Sequence, residues 1–218
     1  MKWTLPSLVL LTLCYTITVA QQWQGQIGIN LAALPGRSFE LATAWSPNLN
    51  RWAFTFNAGY TYQNHANRIP SGYVCDCGFS ALNTSGAFVK VGGRVDAIRS
   101  IKPQARIGLP IGIILIGSQY QQEGTIRSIA GGQDRYSTQS AQGFILSGGL
   151  TAALNIRLAA RWNVDLGIQK FIGFKKRDDY LLFANYMTYQ PGIGLTNWKN
   201  FRPGLQGIVT VNYRLNGL

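Results

Sequence analysis

Trp52-Ala53-Phe54-Thr55-Phe56-Asn57-Ala58-Gly59-Tyr60-Thr61-Tyr62 alternates without a break. Trp52, Phe54, Phe56, Ala58, Tyr60 and Tyr62 share one face, and Ala53, Thr55, Asn57, Gly59 and Thr61 share the other. A period of two belongs to a β-strand, whose successive side chains point to opposite sides. This strand is oily and aromatic on one side, and small or polar on the other. Working outward, seven more segments read the same way. Residues 24–33 carry Ile27, Ile29 and Leu31 on one face, and 38–45 carry Phe39, Leu41 and Trp45. Segment 87–98 sets Val89, Val91 and Val95 against Lys90, Gly92, Arg94 and Asp96, and 105–117 carries Ile107, Leu109, Ile111, Ile113 and Leu115. Segments 143–156, 162–171 and 204–215 complete the set, the last with Val209, Val211 and Tyr213 against Thr210, Asn212 and Arg214. No stretch past the leader keeps helical spacing, and no run is long enough for a spanning helix.

The connections sort by length. Links 46–51, 99–104 and 157–161 are short, whereas 63–86, 118–142 and 172–203 are long; the first outer link, Leu34-Pro35-Gly36-Arg37, is tight. Short turns on one rim and long loops on the other predict an all-β, closed antiparallel eight-stranded transmembrane β-barrel with short periplasmic turns and long extracellular loops. Closure follows from the solvent, because an open sheet edge in hydrocarbon leaves backbone groups unsatisfied. Pro110 breaks the fifth strand's ladder, and a bulge is expected there. A soluble lipocalin-like barrel, with its apolar face turned inward, is the structural rival.

Aromatic placement supports the lipid-facing reading. Trp45, Trp52, Trp162 and Tyr213 fall near the short-turn rim, and Phe39, Tyr60, Tyr62 and Phe144 near the long-loop rim, all on apolar faces. Such rings favour the headgroup level, so two girdles are expected. The opposite faces collect Glu40, Lys90, Arg94, Asp96, Arg106, Asp165 and Arg214. An eight-strand barrel is only wide enough for side chains to fill, so these charges are expected to pair as a lumen network and not to line an ion path.

Residues 1–20 read as a signal peptide: Lys2, an apolar run, then Thr18-Val19-Ala20 before the cut, leaving 21–218 as the barrel domain. Lipidation at Cys14 would need a small residue before it, and Leu13 is not small. Of 20 Lys and Arg residues the leader removes one, so 19 face 8 acids and the mature formal charge is +11. For an exported chain that balance favours membrane lipid and lipopolysaccharide as partners over nucleic acid; arginines capping turns and filling a polar interior account for it equally. Cys75-Asp76-Cys77 can form a strained loop disulfide or remain two loop thiols without chemistry. No metal site and no cofactor is read from the sequence.

The run Gly207-Ile208-Val209-Thr210-Val211-Asn212-Tyr213-Arg214-Leu215 resembles the terminal-strand signal of barrels delivered by the outer-membrane assembly machinery. Leu215 stands where an aromatic is usual, and Asn216-Gly217-Leu218 overhangs. The pattern over the full length is similar to small Gram-negative eight-strand families, OmpA-like and OmpX-like barrels and the PorT-like barrels of Bacteroidota. That resemblance implies a fold and a location, the cell outer membrane; it carries no site.

Three functions are left open. The first is a non-enzymatic barrel, structural or surface-binding through its long outer loops. In the fourth loop Lys175, Lys176, Arg177 and Tyr180 could clamp an acidic head group or a protein; a solvated loop whose Asp178 and Asp179 cancel its cations is the bland alternative. On this reading, trimming 172–203 removes binding and leaves the barrel intact. The second is an accessory barrel of a secretion or assembly system, as the PorT-like resemblance implies, with a protein partner there. The third is a lipid A acylase or deacylase; His65 is the only histidine and sits among Asn64, Ala66 and Asn67, a setting that suits a solvated loop better than a base. No catalytic residue is assigned, and a diffusion pore is disfavoured by the crowded interior. Glycine pairs such as Gly92-Gly93 lack the strand-to-helix setting of a phosphate loop.

Overall fold

A computed structural model describes residues 23–47, 51–64, 78–99, 107–130, 133–173, 187–197 and 202–215. Residues 1–22 (which include the expected signal peptide), His65, Cys75, Cys77, Arg106, Lys175, Lys176, Arg177 and Tyr180 lie outside them. The strands are β1 Trp23–Asn30, β2 Ser38–Pro47, β3 Trp52–Asn64, β4 Gly78–Arg99, β5 Ile107–Ala130, β6 Gln133–Arg157 and β7 Trp162–Gly173. Three short strands follow, β8 Met187–Gln190, β9 Gly194–Asn197 and β10 Arg202–Pro203, and then β11 Leu205–Arg214. Eight of them close into one antiparallel barrel in the order β1-β11-β7-β6-β5-β4-β3-β2, while β10-β9-β8 form a small separate sheet. The expected eight-strand barrel is therefore the observed fold.

The oily faces point outward. Phe54, Val91 and Leu166 are 55%, 52% and 41% exposed, while Lys90 on the opposite face of β4 is 1% exposed. A soluble protein does not leave such a belt in water, so the surface is one made for lipid, and the lipocalin-like rival would have it reversed. At the short-turn rim Trp52 meets Phe54 edge-on at 4.8 Å, and Trp23 joins them at 6.2 and 6.4 Å. Trp162 and Tyr213 pair at 5.0 Å, and the Tyr213 hydroxyl accepts from Arg161 at 2.9 Å. Trp45 is half-buried; Phe39, Tyr60, Tyr62 and Phe144 stand exposed toward the other rim.

Two expected outer loops carry strand that extends beyond the expected ends. The sequence reads links 63–86 and 118–142 as loops because a tilted strand needs only about 9–11 residues to cross a bilayer. Instead β4 begins at Gly78, and β5 and β6 run 24 and 25 residues, paired without a register shift from Ile107↔Ile156 to Ala130↔Gln133. Their outer parts, with β4 alongside as far as Gly78↔Arg127, continue the ladder past the apolar belt as a three-stranded blade. Backbone pairing needs no oily face, so the Gln-, Ser- and Thr-rich sequence conceals these strands.

The first strand is shorter than expected. It stops at Asn30, and Leu31 lies in a 3-10 helix, Leu31–Gly36, not on the strand. Asn30 Oδ1 accepts from the Ala32 N–H at 3.2 Å, Pro35 has no N–H to extend a ladder, and Arg37 turns left-handed at φ 50. Near Pro110, the extra residue sits on the neighbouring strand. Asp96 pairs with Pro110 and Ile98 with Leu109, so Ala97 bulges out of β4 opposite the missing donor.

Candidate functional site

Among the described residues, the barrel interior is where the fold converges polar and charged side chains, and it divides into two levels. At the inner level Arg94 reaches across the lumen from β4 to Asp165 on β7, Nη1 to Oδ2 at 3.1 Å. Asp165 also accepts from Asn212 Nδ2 at 3.0 Å and from Asn155 Nδ2. Gln26 Oε1 accepts from Arg94 and Asn163, each at 3.4 Å. A small cavity of about 80 Å³ remains beside this network, between Arg94, Pro110 and Asp165.

At the outer level Lys90 Nζ donates to both oxygens of Glu40 at 2.9 Å. Asn57 Nδ2 and Asn30 Nδ2 donate to the same carboxylate at 2.8 and 3.1 Å. The ammonium also lies over the rings of Phe88 and Phe171, at 5.1 and 5.9 Å from their centroids. Beyond this pair the lumen turns apolar: Phe88, Ile114, Ile116, Tyr120, Ile145 and Phe171 form one buried cluster with Ile193.

Ile193 comes from the fourth outer link. The hairpin of β8 and β9, turned by Pro191, Gly192 and Ile193, folds back into the barrel mouth as a plug. Ser118 Oγ donates to the Pro191 carbonyl at 2.8 Å, and the Ser38 hydroxyl lies 3.0 Å from that of Tyr189. Lys170 Nζ donates to the Pro203 carbonyl, and Gln169 pairs with Gln206. Gly192 is required twice over: its φ is +70, and an added Cβ would come within 2.5 Å of Phe88. The reading of 172–203 as a wholly external loop is thus corrected. Its described residues 172–173 end β7, and beyond them the hairpin turn 190–194 is buried in the lumen while Leu195 stays exposed, so trimming the hairpin would bare Phe88, Ile116 and Phe171.

Of the seven charges read from the sequence, the structure brings together two separate pairs, Lys90–Glu40 and Arg94–Asp165. Asp96 and Arg214 stand half-buried toward the inner rim, and Arg106 lies outside the described residues. Sequence reasoning passes over Ser38, Ser118 and Ile193. Two signals are present: Ile114 and Ile116 make β5 apolar on its inward face as well as its outward one, which asks for an apolar partner in the lumen, and Pro191-Gly192 marks a turn. Among the described residues no group of three or more His, Cys, Asp or Glu could hold a metal.

Neither a protein-family model nor a curated protein matches the chain. Solved structures do. Neisserial surface protein A aligns over 89% of this chain and 94% of its own at 13% identity and a TM-score of 0.42. Ail, the attachment invasion locus protein of Yersinia pestis, aligns over 89% and 99% at 10% identity and 0.38. A major outer membrane protein from Thermus thermophilus aligns over 89% of this chain and 98% of its own, at 12% identity and a TM-score of 0.52. At that identity the likeness to the Thermus protein speaks of architecture alone. Taken with the outward apolar belt, it makes this chain an outer-membrane-type β-barrel of eight strands, closed and plugged.

Proposed function

We propose that this is a non-enzymatic outer-membrane barrel that works from its outer face, with the three-stranded blade as its binding element for a surface protein or lipopolysaccharide. The observation that carries the reading is the contrast between a lumen filled by its own hairpin and a β5–β6 ladder more than twice the length needed to cross a bilayer. The interior supports it too, since the ion pairs Lys90–Glu40 and Arg94–Asp165 are committed to one another and to amides. A paired strand ladder presents a preorganised surface, which lowers the ordering cost of binding.

The test removes 125–138 and joins Gly124 to Gln139 through an Asn-Gly turn, since those two residues face each other in register. On intact cells a photo-cross-linking residue placed at Glu123 of the blade should give adducts with the full chain and none with the trimmed one. Both forms should remain heat-modifiable barrels. Adducts that survive the deletion would sink the reading, as would steady single-channel conductance of the full chain in planar bilayers.

A further inference from the structure

Among the described residues, the strand ladder is incomplete at one place, where the 3-10 helix Leu31–Gly36 stands instead of a strand. The ladder between β1 and β11 runs only from Gln26↔Arg214 to Asn30↔Thr210, because β1 gives way to the 3-10 helix at Leu31. Among the described residues, 205–209 of β11 therefore have no strand partner on that side. Val209 N–H is taken by Asn30 Oδ1 at 3.2 Å. Alternation along an antiparallel strand turns the N–H and C=O of Leu205 and Gly207 toward the same seam. This lies level with Phe39 and Tyr60 of the outer girdle, as Asn30 bonds Glu40, next in the chain to Phe39.

A cavity of about 230 Å³ opens at this seam. Its walls include Ala33 of the 3-10 helix and Leu205 and Gly207 of β11, and also lumen-facing Glu40, Lys90 and Gln206. Residues from both faces of the wall line one space. At Gly207 an added Cβ would meet nothing within 4 Å, which leaves a notch on the lipid side. Exposed Leu31, Leu34 and Leu205 flank it.

We propose that this seam is a lateral binding site for the head group of a membrane amphiphile, entering from the outer leaflet while its acyl chain stays in lipid. Three physical points lead there. Open backbone at membrane depth is tolerated only where it lines a cavity or meets a polar partner. The volume falls below the roughly 300 Å³ at which pockets begin to hold whole small molecules, and suits a head group. The chemistry of the lining selects that head. Among the described residues its charged side chains, Lys90 and Glu40, neutralise each other, and Asn30, Ser38, Gln169, Gln206 and Tyr189 are uncharged hydrogen-bonding groups. An ionic head would be desolvated without a free counter-charge, so the site takes an uncharged polyol such as glycerol.

The experiment places the full chain in phosphatidylcholine vesicles with a monoacylglycerol that carries a diazirine near the head of its chain. Mass spectrometry should find labelling concentrated on peptides covering 31–36 and 205–209, at least tenfold above those around Phe54 and Val91. Excess unlabelled mono-oleoylglycerol should compete it away. Gly207→Trp, which fills the notch, should reduce labelling at least tenfold with heat-modifiability unchanged; Ile113→Trp, on β5 three strands away around the belt, should leave it as in the parent. The same probe with a phosphate head should label at least tenfold less. Labelling spread evenly around the belt, or not competed by the unlabelled lipid, would overturn the site. Stronger labelling by the phosphate probe would overturn the uncharged head group.

Discussion

The outer and inner halves of the lumen solve one problem by opposite means. Both must fill a narrow tube whose walls carry charge. The inner half does so with hydrogen bonds, holding Asp165 among Arg94, Asn155 and Asn212. The outer half borrows a segment of chain, and packs Ile193 against Phe88, Ile116 and Phe171. The charge pairs follow suit. Lys90 and Glu40 are 1% and 4% exposed, whereas Arg94 and Asp165 are 19% and 8% exposed. An apolar filling raises the cost of separating charge beside it, and a polar filling spreads that cost over several partners.

Four single substitutions and one double variant sharpen or break that contrast. Lys90→Met strands a buried carboxylate and should destabilise the barrel by about 3–5 kcal/mol in urea unfolding from lipid vesicles. The double variant Glu40→Gln with Lys90→Met should recover most of the loss; if single and double are equally unstable, the two residues do not act as a pair. Ile193→Ala should cost about 2–4 kcal/mol by leaving a void under the hairpin, and should make 187–197 sensitive to protease added outside the vesicle. Unchanged protease resistance would mean that the apolar cluster does not hold the plug. Arg94→Met should cost less, about 1–2 kcal/mol, since Asp165 keeps two amide donors and borders a small cavity. A loss as large as that of Lys90→Met would erase the distinction between the levels. Ser118→Ala removes one bond to the Pro191 carbonyl and should cost about 0.5–1.5 kcal/mol, seen as faster amide exchange in the hairpin turn.

Much of the barrel is legible because lipid imposes a simple rule on a strand: one face oily, aromatics at the ends. Phe54, Val91 and Leu166 obey it, and their outward direction follows from alternation. What lies beyond the bilayer obeys no such rule. The outer parts of β5 and β6 are strand by backbone pairing alone, and a Gln- and Ser-rich strand in water reads like a loop. The lumen is half legible. Alternation places Glu40, Lys90, Arg94 and Asp165 on the inward face. It cannot say that Lys90 reaches past β3 to β2, or Arg94 across to β7, because partners inside a tube are set by angle and height. The hairpin leaves two traces, the second apolar face of β5 at Ile114 and Ile116 and the turn dipeptide Pro191-Gly192. Each has an ordinary reading alone; only their contact gives them a shared one.

The hairpin also sits immediately ahead of β11, the strand whose five-residue pairing with β1 seals the cylinder. A segment in that position has to be threaded before the last staves meet, or else squeeze through the mouth afterwards. Stoppering and sealing then become one event in biogenesis, and a half-assembled intermediate stands open along its length. Protection of 190–193 and of 26–30 should arise in the same kinetic phase on refolding.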